Sequence, residues 1–114
     1  PRREFLYSDD VADACIMLMG LPDAQFRALC LPEGPVSPML NIGCGEDASI
    51  REIAMTVASV VKYEGRLTFD TSKPDGPPRK LVDITRLKAL GWSPKISMER
   101  GVAMAYEDFL ARQP

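Results

Sequence analysis

Apolar and polar positions along the 114-residue chain change period several times, and each change marks an element. Glu4-Phe5-Leu6-Tyr7 reads as a short extended segment, after which Ser8, Asp9 and Asp10 offer N-caps and carboxylates for a helix dipole. The helix that follows carries Val11, Ala12, Ala14, Cys15, Ile16, Met17, Leu18 and Met19 with little polar interruption, so it expects cover on more than one side. Gly20 and Pro22 end it, and Pro22 to Pro38 reads as a loop with one helical turn around Phe26 and Leu29.

Met39-Leu40-Asn41-Ile42-Gly43, apolar and bounded by turn residues, predicts a buried strand. Gly43-Cys44-Gly45-Glu46-Asp47-Ala48 matches a Gly-x-Gly-x-x-Gly/Ala fingerprint leading into a helix. Glu46 and Asp47 argue against a dinucleotide there, because two carboxylates would stand where a pyrophosphate lies. Ser49-Ile50-Arg51-Glu52 is a capping box, and Ile50, Ile53, Ala54, Val57, Val60 and Val61 give the helix behind it one apolar face, with Gly65 closing it. Arg66-Leu67-Thr68-Phe69-Asp70 alternates like a half-buried strand.

Pro74, Gly76, Pro77 and Pro78 then impose a rigid non-helical turn on Lys73 to Lys80. It holds Lys73, Asp75, Arg79 and Lys80 still, a mixture suited to a ligand with phosphates and hydroxyls, or else only a solvated loop. Asp83 caps a short helix from Ile84 to Leu90 that stops at Gly91, and Ser97 caps a last one bearing Val102, Met104, Ala105, Tyr106, Phe109 and Leu110.

Composition narrows what this order can serve. The length suits a single domain, residues 1–114, and the 46% apolar and 26% charged fractions are those of a globular chain. No apolar run approaches the ~20 residues of a membrane span. Fourteen basic against sixteen acidic residues, with no basic run, exclude the footprint of a nucleic-acid binder. Cys15, Cys30 and Cys44 are odd in number and widely spaced, which predicts reduced thiols and a cytoplasmic setting. With no histidine and no Cys-x-x-Cys, neither a structural zinc site nor a Ser-His or Cys-His nucleophile can be built. The abrupt opening at Pro1-Arg2-Arg3, without methionine, reads as a cut in a longer gene or protein.

Arg3-Glu4-Phe5-Leu6-Tyr7-Ser8-Asp9-Asp10-Val11-Ala12, Asn41-Ile42-Gly43-Cys44-Gly45, Ser49-Ile50-Arg51-Glu52, Phe69-Asp70-Thr71-Ser72-Lys73-Pro74-Asp75-Gly76, Pro78-Arg79-Lys80 and Leu90-Gly91-Trp92 together resemble the extended short-chain dehydrogenase/reductase (NAD-dependent epimerase/dehydratase) family that works on nucleotide sugars. The run from Phe69 to Lys80 resembles its fucose synthase branch, the NADP-dependent epimerase-reductases of GDP-4-keto-6-deoxymannose. The resemblance implies a mixed α/β fold with few short strands and about four helices. It would be the C-terminal substrate-binding portion of an extended Rossmann-type enzyme, lacking the nucleotide-binding half. By the same resemblance Arg3 would bind the substrate diphosphate and Asp75 the nucleotide portion, with Arg79 a further candidate.

The family's Gly-x-x-Gly-x-x-Gly loop and Tyr-x-x-x-Lys pair do not occur, because Val11, Leu67 and Leu110 stand four residues after Tyr7, Tyr63 and Tyr106. The expectation is therefore a chain with no catalytic residues and no cofactor of its own, binding a GDP-sugar weakly, its apolar helix driving a homodimer. Two other readings compete with it: a self-associating interaction domain without a ligand, and a small cofactor-binding enzyme built on the Gly43 loop.

Overall fold

In a computed structural model that describes residues 1–30 and 39–113, the chain is a mixed α/β assembly of five helices and one small sheet. In chain order these are β1 (Arg2–Arg3), α1 (Ser8–Met19), α2 (Asp23–Cys30), β2 (Ala48–Ser49), α3 (Ile50–Val60), β3 (Arg79–Lys80), α4 (Thr85–Ala89) and α5 (Met98–Ala111). The strand order is β2-β1-β3, β1 running antiparallel to β2 and parallel to β3.

Ala14, Ile84, Leu87 and Trp92 form the buried core, with Leu6, Met17, Leu40 and Ile42 leaning on it. Two carboxylates of α1 lock this core to the chain after Trp92. Asp10, 2% exposed, accepts from the Lys95 and Ile96 amides, and Asp13 accepts from Trp92 Nε1 at 3.0 Å and Lys95 Nζ at 3.2 Å. These two donors hold the Asp13 carboxyl below its ordinary range, the lysine contact being the larger cause.

Three of the expected caps form: the Ser49 and Glu52 capping box is complete, Ser97 Oγ accepts from Arg100 N at 3.2 Å, and Gly91 sits at φ +86° behind α4. Asp83 is not the N-cap of α4; that position is Ile84, and Asp83 Oδ1 accepts from Thr85 N at 2.8 Å from one residue further out.

Other expectations are corrected. Glu4 to Tyr7 is not a strand: β1 ends at Arg3, with one further backbone bond from Glu4 N to Lys80 O, and the Glu4 carboxylate accepts from Gly45 N and Val82 N. Ser8, Asp9 and Asp10 lie inside α1, whose N-cap is Tyr7 without a side-chain bond. The turn around Phe26 is the eight-residue helix α2, and residues 31–38 of the expected loop lie outside the described residues. Neither Met39–Gly43 nor Arg66–Asp70 forms a strand, since among the described residues neither finds a strand to pair with. The glycine loop leads into β2, with α3 opening only at Ile50. Lys62 at φ +55°, not Gly65, follows the α3 C-cap Val61.

The all-round apolar character of α1 is left half uncovered, with Ile16 66% and Met19 77% exposed. A radius of gyration of 17.8 Å, against about 13 Å for a compact chain of this length, describes the same open arrangement.

Candidate nucleotide-ligand site

The proline turn and the N-terminal strand meet through the parallel pair β1–β3, in register Arg2 with Arg79 and Arg3 with Lys80. Arg2 N donates to Pro78 O at 2.8 Å and Glu4 N to Lys80 O at 3.2 Å. On one face of this seam Arg3 lies back over the turn, its Nη1 donating to Pro77 O at 2.9 Å and Arg2 O at 2.7 Å. Gly76 beneath it leaves room, since a Cβ there would come within 3.3 Å of Arg3 Nη2.

On the other face stands Asp47. Its Oδ1 accepts from Arg2 Nε at 2.8 Å, its Oδ2 pairs with Arg79 Nε, and its main-chain oxygen accepts from Arg2 Nη2 at 2.6 Å. The Asp47 side chain is only 3% exposed. Arg79 first and Arg2 second hold its carboxyl below the ordinary range, and in return Asp47 raises the Arg2 guanidinium.

Two cavities flank the seam. One of about 490 Å³ is bordered by Arg3, Glu46, Lys95 and Glu99. The other, about 410 Å³, is bordered by Phe69, Lys73, Asp75 and Arg51, whose guanidinium stacks 4.4 Å above the Phe69 ring. Asp70 shapes the entry to the turn, Oδ1 accepting from Ser72 N at 2.9 Å and Ser72 Oγ at 2.6 Å. Of the three residues singled out from sequence, Arg3 is brought against the turn. Asp75 is exposed on the same turn but borders the second cavity, and Arg79 is paired with Asp47. Asp47 itself, Arg2 and the Arg51–Phe69 stack escaped the reading because their partners are remote in sequence: Asp47 reaches 45 residues back and 32 forward.

The Gly43 loop does not fit NADP. Gly43 is small because a Cβ would lie 2.5 Å from both Glu4 Oε1 and Val82 Cγ2, and the Gly45 amide already donates to Glu4 Oε1 at 2.7 Å. The N-terminus of α3 is closed by its own Ser49 and Glu52. Cys44 in this loop donates to Glu46 O at 3.2 Å, and burial pushes its thiol up. Among the described residues, no group of three or more Cys, Asp or Glu is placed to hold a metal ion, and no helix is long and apolar enough to cross a membrane.

No protein-family model matches the chain. It is 49% identical over 99% of its length to GDP-L-fucose synthase of Escherichia coli strain K12, covering 34% of that protein. A GDP-6-OMe-4-keto-L-xylo-heptose reductase from Campylobacter jejuni superposes on 98% of the chain with a TM-score of 0.87 at 38% identity, over 32% of the reductase. A GDP-mannoheptose C4 reductase from the same organism, solved with NADP bound, matches 96% of the chain with a TM-score of 0.77 at 39% identity, again over 32% of its length. The chain thus spans about a third of the length of the curated relatives it matches.

Proposed function

We propose that this chain, 49% identical to a GDP-L-fucose synthase over a third of that protein, is the C-terminal, nucleotide-sugar-binding portion of an NADP-dependent epimerase-reductase of the short-chain dehydrogenase/reductase family. The observation that carries the reading is the β1–β3 seam, which sets the Arg3 guanidinium over the Lys73–Lys80 turn. Arg3 would hold the diphosphate of a GDP-sugar through its fork of donors, Asp75 would accept from the nucleotide portion, and the exposed part of Arg79 would add a weaker contact.

Hydride transfer from NADPH and the acid-base step would fall to residues outside these 114, so the chain alone binds and does not turn over. Purified protein mixed with NADPH and a GDP-4-keto sugar should show no loss of NADPH absorbance. A robust rate would overturn the assignment.

The exposed Ile16, Met19, Phe109 and Leu110 support a second element of the proposal, self-association into a cytoplasmic homodimer. Their exposure is also what favours the alternative of a ligand-free interaction domain. Sedimentation at high micromolar concentration should give a dimer or larger species, and a clean monomer would remove that element.

A further inference from the structure

We propose that Asp47 is a positioning residue that fixes the Lys73–Lys80 turn, and Arg79 at its end, against Arg3; the inference rests on the nucleotide-binding reading for its purpose but not for its geometry. Arg2 and Arg79 are directly paired across β1 and β3 and both turn toward the Asp47 carboxylate. Without that carboxylate, two guanidiniums would face each other at paired positions, where like charges repel, with only the Glu52 carboxylate, 3.6 Å from Arg2, to offset them among the described residues. The attraction that closes the seam would become a repulsion that opens it.

The two arginines are not held equally. Arg2 has a second hold on the Asp47 main-chain oxygen, 2.6 Å away, which no side-chain substitution removes. Arg79 reaches Asp47 through the carboxylate alone. Neutralising Asp47 therefore releases β3 rather than β1. β3 is the stem of the proline turn, and the backbone bonds that tie it to β1 are Arg2 N to Pro78 O and Glu4 N to Lys80 O. On the opposite face Arg3 bonds Pro77 O, so a turn that lifts away carries off one of the carbonyls that aim Arg3. Asp47 also lines the cavity beside Arg3, but both its carboxylate oxygens are spent on arginines, so it acts through them rather than on a ligand.

The test compares the full chain with Asp47→Asn, Asp47→Glu and the double variant Asp47→Asn/Arg79→Gln. Amide exchange of Arg2 and Glu4 reads the seam, and the Lys88 amide, bonded within α4, reports whether the core remains folded. Asp47→Asn should speed exchange at Arg2 and Glu4 by about tenfold while leaving Lys88 within about twofold, and 0.5 M salt should reverse part of the change. Removing the second guanidinium should restore protection in the double variant, as should Asp47→Glu, which keeps the charge. A merely structural loss would make the double variant worse instead.

In the same samples a GDP titration followed at the Lys73–Lys80 signals should weaken about fivefold in Asp47→Asn. Unchanged exchange in Asp47→Asn, or no recovery in the double variant, overturns the positioning role. Wild-type protein whose turn signals ignore GDP overturns the functional reading, while the exchange arm still decides what Asp47 holds.

Discussion

The part of the molecule around Trp92 and the part around α3 are held by different means. Around Trp92, packing closes: Leu87 is 0% exposed, Ile84 and Ala14 are buried with it, and the polar atoms within reach are bonded to Asp10 and Asp13. α3 packs on α5 yet buries none of its residues, and what defines it is a complete capping box at one end. The first part is fixed by long-range contacts and the second by local ones. A helix can therefore be specified well by its own sequence and remain energetically loose in its surroundings, because capping contributes about 1 kcal/mol whereas a buried leucine contributes several.

The widest separation between the two parts comes from truncating one apolar residue in each. Leu87→Ala should cost about 2–5 kcal/mol of unfolding free energy, whereas Val57→Ala on α3, already 39% exposed, should cost less than about 1 kcal/mol. Urea unfolding of the two variants measures this, and equal losses would erase the distinction.

Two glycines sharpen it further, since both have positive φ, +77° at Gly45 and +86° at Gly91. At Gly91 an added Cβ meets nothing within 4 Å, so Gly91→Ala should cost only the backbone strain, about 1 kcal/mol. At Gly45 the Cβ would stand 2.8 Å from Ile84 Cδ1, so the same substitution should cost more by disturbing the core as well. Thermal unfolding of both variants gives the order.

The smallest effect is an acid one. Asp13 and Asp47 have folded pKa values below their ordinary 3.8, so each carboxylate is stabilised by folding only while ionised. Their contributions are complete above the ordinary value and drain away only as pH falls past it and through the depressed folded values. Melting temperature should therefore be flat through neutrality and fall below about pH 4. Asp13→Asn and Asp47→Asn should each make that fall shallower.

What was legible in the sequence follows from the same division. The Ser49–Glu52 box, Gly91 and Ser97 act within three residues of their partners, and each does in the fold what its spacing predicts, while Asp83 bonds the Thr85 amide from one residue outside the cap. Met39–Gly43 and Arg66–Asp70 carry strand-like patterns, but a strand needs a neighbour, and periodicity does not say whether one is present. The charged seam could not be read at all: Asp47 looked like an objection to a pyrophosphate, and only the fold shows its carboxylate closing two arginines that are 77 residues apart. Asp75 and Arg79 stand out in the proline turn by residue type, and the resemblance to a family adds Arg3 and a role for each. The structure adds that Arg3 alone rests its guanidinium on the turn, while Asp75 projects from it and Arg79 faces Asp47.

The most direct measurement of the central claim is a titration of the chain with GDP and with UDP, followed by NMR. If this portion holds the nucleotide of a GDP-sugar, signals from Lys73 to Lys80 and from Arg3 should move with GDP at roughly millimolar concentration and less with UDP, and Asp75→Ala should abolish the preference. Equal shifts with both nucleotides, or shifts centred on Gly43 to Ala48, would contradict the assignment.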